Sequence, residues 1–302
     1  MTMTNGQAHA VKGNGLVVVD EALRARAGVF VWWRLSGDVT LDALTESWRR
    51  HTHAVKELLP NPVSPETAIR RALAKVEGRR MLVRPLDVRG AWALVEEFVA
   101  EHETTGKKKL THVQRGTVRL DARYKPEFED VPAEIAQVVE ANYGRELDVL
   151  SASDISAWLV QMVAKLSATS LRERGGVYFI PQPYVAAWER LVKAVRACSA
   201  HKMYSAPAMR SDDVVEAVLD SITEEAQLEC AALEKELTTE DDGEGLGVRA
   251  LKTRADRAQR MARKVGDYEQ LFSVKLDALR ARLEDLQTNI GAAVLAAEAD
   301  AS

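Results

Sequence analysis

The sequence predicts an α+β fold, predominantly helical, built from sequential domains. Three observations point there. Apolar runs rich in β-branched and aromatic residues (Gly28–Leu35, Met81–Leu86, Ala91–Val99, Leu110–Leu120) are bounded by turn residues. Between them lie capped segments with apolar residues at helical spacing. From Ser211 onward the pattern is helical throughout. The expected boundaries are a flexible N-terminus over 1–15, a winged-helix-like basic domain over 16–125, a small α/β lobe over 126–210, and a long antiparallel helical hairpin (a coiled coil) over 211–302.

Gly28–Leu35 (GVFVWWRL) reads as a strand closed by the turn Ser36-Gly37-Asp38. Strand alternation sends Trp32 and Trp33 to opposite faces, so one of them is expected to cover an interface. Thr40 caps a helix with Leu41, Leu44 and Trp48 on one stripe. A short apolar turn, Val55–Leu59, ends at Pro60-Asn61-Pro62. Ser64-Pro65-Glu66 opens the next helix as N-cap, first-position proline and first-turn acid. Ile69, Ala72, Leu73 and Val76 face inward on it. The strands Met81–Leu86 and Ala91–Val99 follow, joined by Asp87-Val88-Arg89-Gly90, and Leu110–Leu120 alternates after the basic loop Lys107-Lys108-Lys109. Strand, helix, short helix, helix, hairpin is the order of a winged helix-turn-helix.

In the second lobe, Pro132–Tyr143 and Ser153–Leu171 are amphipathic helices and Gly175-Gly176 breaks the chain. Val177–Ile180 is a strand, Tyr184–Cys198 a helix and His201–Ala206 a closing strand. The last region has a first arm, Asp212 to about Glu240, a breaker containing Gly243, Gly245 and Gly247, and a second arm from Val248 to about Ala297. A helix of that length rises about 75 Å, at 1.5 Å per residue, so it must project or pair.

Charge is segregated along the chain. The net is only -4, yet residues 49–125 hold 17 Lys/Arg against 9 Asp/Glu, and residues 211–242 hold 12 Asp/Glu against one Lys. Segregated charge is a usual trace of a charged partner. Residues 248–264 carry seven cations against Asp256 alone, so folding back on the acidic arm neutralises both. That internal account is preferred there over a nucleic-acid-binding stripe. Two cysteines, Cys198 and Cys230, in helix-like sequence are expected to be free thiols in a reducing cytoplasm. Residues 1–15 lack a secretion-signal pattern, and no run approaches the roughly 20 apolar residues of a membrane span.

The basic block supplies the candidate site. Arg70, Arg71, Lys75, Arg79 and Arg80 lie on or after the helix that a helix-turn-helix places in the major groove. Arg84 and Arg89 fall on the hairpin, where a wing meets phosphate. Lys107, Lys108 and Lys109, then Arg115, Arg119 and Arg123, extend the surface; the even spacing of the last three puts them on one face of a strand. Glu66, Glu77, Glu96 and Glu97 interrupt the patch, which is what a solvated face used for protein contacts would also show. His51 and His53 lack the further ligands zinc requires, and Asp241-Asp242-x-Glu244 lacks the spacing of a calcium loop. No phosphate-binding loop is present, and Cys198 with His201 has no orienting acid. No metal or cofactor is expected.

Gly175-Gly176-Val177-Tyr178-Phe179-Ile180-Pro181 after a long helix, together with Trp33-Arg34-Leu35-Ser36-Gly37 and the C-terminal helices, resembles a group of uncharacterised bacterial and phage proteins with a GGVYF-x-P strand. The resemblance implies no activity and transfers no site residue. The expected role is a non-enzymatic nucleic-acid-associated protein that binds DNA (or RNA) through the basic winged surface and oligomerises or docks a protein partner through 211–302. The alternative is a protein–protein scaffold without nucleic acid.

Overall fold

A computed structural model describes residues 26–52, 58–78, 80–101, 108–173, 175–238 and 247–300. The expected flexible N-terminus lies outside them. The first elements are β1 (Arg26–Arg34), β2 (Val39–Thr40), α1 (Leu41–Thr52), α2 (Pro65–Ala74), β3 (Met81–Pro85), β4 (Ala91–Glu101), β5 (Lys108–Leu120) and β6 (Pro126–Glu129). Next come α3 (Ala133–Asp148), β7 (Val149–Leu150), α4 (Ala152–Lys165), β8 (Thr169–Ser170), β9 (Tyr178–Pro181), α5 (Val185–Cys198) and β10 (Lys202–Met209). Three helices end the chain: α6 (Asp212–Thr238), α7 (Val248–Phe272) and α8 (Asp277–Asp300). The fold is α+β, mostly helical, with small antiparallel sheets. None of its helices is long and apolar enough to cross a membrane, among the described residues.

Two compact units form, and neither is a continuous stretch of chain. One holds the described residues up to Arg34, Leu159–Lys193, and the chain from His201 onward; the other holds Leu35–Trp158 and Ala194–Ala200. The three sequential domains are therefore replaced by an interleaved pair. The cause is β1, whose sheet partners lie far along the chain.

In the first unit the strand order is β10-β1-β9-β8, with β1 antiparallel to β10 and to β9. Alternation gives β1 two faces. Val29 and Val31 are buried on one face, where Trp33 stacks on Tyr178 (5.2 Å between centroids, 5° between planes) and approaches Trp188 of α5. Gly28 and Phe30 lie on the other, against the terminal helices, beside Phe179 and Ala208. Gly28 is required: a Cβ there would lie 2.1 Å from the Ile180 carbonyl oxygen and 2.9 Å from the Phe179 ring. The glycine motif is a hairpin turn joining β8 to β9, with Gly175 at φ 71° and Gly176 at φ 100°, a region L-residues disfavour. The helix expected over Ser153–Leu171 stops at Lys165, because Ser167 turns left-handed (φ 54°) and the chain enters β8.

The terminal region has three helices. The second arm expected as one helix from Val248 is interrupted at Ser273, which adopts φ 57° and donates its N–H to the Glu269 carbonyl. Glu269 Oε1 then accepts the Leu276 N–H at 2.7 Å, so one residue seals both sides of the break. Val218, Ile222, Ala226, Cys230 and Leu233 of α6 pack against Ala258, Val265 and Tyr268 of α7 and Leu283, Leu286 and Ile290 of α8. Full burial of each large apolar side chain contributes about 1.5–3 kcal/mol, so this seam supplies most of the helices' stability. The apolar stripes read as a coiled-coil seam are thus satisfied within the chain, and Leu228 and Leu295 are left exposed. Charge follows the same logic: Arg257 meets Glu229 and Glu236, Arg254 meets Glu236, Lys264 meets Glu225, and Arg282 meets Glu234.

The second unit is a meander, β3-β4-β5-β6, with α2 and α3 on one face. Ser64 caps α2 by accepting the Thr67 N–H at 3.2 Å, and Pro65 takes the first position. Ala68, Ile69, Ala72 and Leu73 bury against Leu94 and Val118 of the sheet and Val139 and Tyr143 of α3. This core joins α2 to α3, while Trp48 of α1 sits edge-on to Trp158. In β5, Arg115 is an extra residue: Leu94 pairs with Gly116 but Val95 pairs with Gln114. Gly116 permits this bulge, since its φ is 146° and a Cβ would lie 2.6 Å from the Glu129 carbonyl oxygen.

Candidate functional site

The expected basic surface is divided by its own ion pairs. Arg71 donates to both carboxylate oxygens of Asp154 (2.8 and 2.7 Å), and Lys75 meets the buried Glu146. Arg89 pairs with Glu66 (2.8 Å), Arg115 with Glu96 (2.6 Å) and Arg119 with Glu129 (2.7 Å). Burial pushes the Asp154 carboxyl up, but hydrogen bonds from Ser151 and Arg71 outweigh it and hold the carboxyl below its ordinary range. The bond to Glu66 makes Arg89 hold its proton more tightly. Arg79 and Lys107 lie outside the described residues, as do the side chains of Lys108 and Lys109.

Arg70, Arg80 and Arg84 are exposed and have no carboxylate within ion-pair distance among the described residues. Arg70 and Arg84 do not share a face. Arg70 lies on α2 beside Glu66 and Glu77, lining a groove of about 430 Å³. Arg84 opposes Ala93, one residue off the Val83–Leu94 pair that faces α2, so it points from the opposite side of the sheet. The predicted single face of Arg115, Arg119 and Arg123 fails for the same kind of reason. The bulge at Gly116 puts Arg115 on the side of Glu96 and Arg119 on the other. Arg123 sits past the strand's end, in a turn where Asp121 accepts its backbone N–H.

A different surface gathers binding groups. On the helix-facing side of β1, the register runs Phe30–Ala206, Trp32–Tyr204, Arg34–Lys202. The terminal helices cover the Gly28 end of this face and leave the other end open. Trp32 and Tyr204 stack (5.4 Å between centroids, 16° between planes), and each remains 37% exposed. Beside them Phe30, Leu171, Val177 and Ala206 form an apolar groove of about 410 Å³ that Trp32 also lines. Arg34 and Lys202 are exposed, directly opposite, and no described carboxylate pairs with either. Like charges opposite one another destabilise a sheet, so this pair is favourable only with an anion between or above it. Chemically the face can stack a planar ring and neutralise an adjacent negative charge.

Strand alternation signalled in advance that one of Trp32 and Trp33 would face outward. Tyr204 and Lys202 carried no such signal, because they reach the site only through pairing with a strand some 170 positions away. Cys198 and Cys230 are free, and burial pushes both thiols up. No curated protein and no solved structure matches the chain. A family model covers residues 27–301, and with nearly the whole chain matched the protein belongs to that family of unknown function, DUF6744.

Proposed function

We propose that this protein is a non-enzymatic nucleic-acid-associated protein that engages single strands on the open face of β1 and β10. The observation that carries the reading is the exposed Trp32–Tyr204 stack with Arg34 and Lys202 one step along the same face. Single-stranded nucleic acid offers bases that can lie on such rings, each stack being worth about 1–3 kcal/mol, and phosphates that cations neutralise. A duplex hides its base faces, so a stacking surface selects unpaired strands. This relocates the interface from the winged-helix-like basic surface, where five cations are held by carboxylates of the chain itself.

The test is fluorescence anisotropy with a labelled oligothymidylate, the matching RNA and a duplex, at several salt concentrations. Single strands should bind more tightly than duplex. The double variant Trp32→Ala/Tyr204→Ala should lose about tenfold or more in affinity. No binding at low salt, or an unchanged affinity in the variant, removes the proposal.

A second reading is favoured by the hairpin of β4 and β5. β3 pairs with β4 only as far as Glu96, and β6 pairs with β5 only over Thr117–Leu120, so the hairpin continues as a two-stranded ribbon. Its exposed Phe98, Val99 and Leu110, with Val99 opposite Leu110, suit a protein partner. Val99→Glu/Leu110→Glu should then abolish partner capture without altering oligonucleotide affinity.

A further inference from the structure

A cleft of about 560 Å³ in the first unit is lined by five cations and two carboxylates. The cations are Lys165, Arg257, Arg260, Arg263 and Lys264, and the carboxylates are Glu225 and Glu229. The carboxylates are already engaged, by Lys264 and Arg257. Lys165, Arg260 and Arg263 are exposed and have no carboxylate partner among the described residues. Arg257, Arg260 and Lys264 fall at helical spacings of three and four on α7, and of the three only Arg260 lacks a carboxylate partner among the described residues.

The wall opposite is rigidly built. Ser167, held at φ 54°, donates its hydroxyl to Asp267 (3.1 Å), and Tyr184 donates to the same carboxylate oxygen (3.0 Å). The fully buried Tyr268 donates to the Ser167 carbonyl (2.8 Å). A left-handed non-glycine residue persists only where its surroundings over-determine it, and such residues concentrate at ligand sites. Lys264 is anchored by the Ala168 carbonyl (2.6 Å) and Glu225, which leaves one of its three N–H donors for a ligand.

We propose that this cleft binds a multiply charged phosphoanion, with Arg260, Arg263 and Lys165 supplying the charge and Lys264 a fixed donor at the floor. Planar guanidinium groups suit tetrahedral oxyanions because they donate in pairs, and the volume lies within the range of small-molecule pockets. The ligand can be a free oligophosphate, such as the tail of a nucleoside triphosphate, or the phosphates of a nucleic-acid strand.

The probe is inorganic tripolyphosphate, titrated calorimetrically into the full-length protein at about 50 mM salt, where surface attraction is weakly screened. ATP and a short oligothymidylate are titrated in parallel. Wild type should bind tripolyphosphate, and Arg260→Gln/Arg263→Gln should weaken it by about tenfold or more. Lys165→Gln, on a different helix, should weaken it to a lesser degree. A loss confined to tripolyphosphate and ATP assigns a free ligand; a parallel loss for the oligonucleotide assigns the strand backbone. Either supports the site. No binding by wild type, or binding that the arginine variant leaves unchanged, overturns it. Trp32→Ala should leave tripolyphosphate binding intact, so failure here is separable from failure of the proposed single-strand face.

Discussion

Arg34 and Lys202 stand directly opposite on neighbouring strands, with no described carboxylate to compensate them. A cross-strand pair of like charges works against the sheet that carries it. Replacing both, Arg34→Gln/Lys202→Gln, should therefore raise stability by a few tenths of a kcal/mol in urea unfolding. The same change should lower oligonucleotide affinity and flatten its salt dependence, by about 0.7 in the log–log slope for each lost phosphate contact. Opposite signs for stability and binding mark a functional pair. A loss of both, or no change in binding, would mark a structural one.

The close packing of Gly28 gives a sharper stability test. A Cβ at this position would meet backbone, the Ile180 carbonyl oxygen at 2.1 Å, as well as the buried Phe179 ring. Backbone cannot step aside as a flexible side chain can, so Gly28→Ala should cost about 3 kcal/mol. The midpoint of urea unfolding reports it. A cost below about 1 kcal/mol would mean that β9 does not lie against β1 at this register.

How far the sequence could be read depends on how local each cause is. β1, the Ser64-capped α2 and the hairpin of β3 and β4 rest on neighbouring residues, and all lie where periodicity and caps indicate. The break at Ser273 was not legible, because the apolar periodicity runs on and neither glycine nor proline marks it. The chain there is turned by a hydrogen bond to Glu269. The bulge at Gly116 carried one weak sign, a glycine inside an alternating strand. The pairing of Arg71 with Asp154 spans 83 positions and that of Lys75 with Glu146 spans 71. No window of sequence contains either, so the engagement of Arg71 and Lys75 by carboxylates of the chain itself was not legible. The aromatic face was half legible: an outward tryptophan is a local property, whereas its stacking partner is a product of topology.

The hydrogen bonds that Asp154 accepts from Ser151 and Arg71 also set a pH dependence. The Asp154 carboxyl is held below its ordinary range in the folded protein, so the unfolded chain binds a proton more readily. Stability from this group is fully present above the unfolded value, about pH 4, and is lost as pH falls through the folded one. Urea unfolding followed between about pH 5 and 3 should show the decline. Asp154→Asn should be less stable at neutral pH and lose less on acidification. An identical pH profile in wild type and variant would remove Asp154 as a source of acid sensitivity.

Lys264 and Glu225 differ from the surface pairs because one of them is enclosed. The Lys264 side chain is 11% exposed and Glu225 37%. Burial depresses the lysine pKa, and Glu225 opposes that depression. Glu225→Gln removes the opposing charge while still accepting from the Thr169 hydroxyl, which sits 2.8 Å away. An enclosed ammonium would then be left alone. The cost should be about 2 kcal/mol, below the roughly 3–5 kcal/mol of fully buried pairs because Glu225 keeps contact with water. A folded-state pKa below the unfolded one means that the unfolded chain holds the proton longer, so the variant's stability should climb as pH rises toward about 10. Adding Lys264→Met takes away the stranded charge and fills its path through the core. The double variant should recover most of the loss and lose the alkaline rise. If Glu225→Gln proves neutral, or if Lys264→Met fails to rescue it, Lys264 is not held as an enclosed cation.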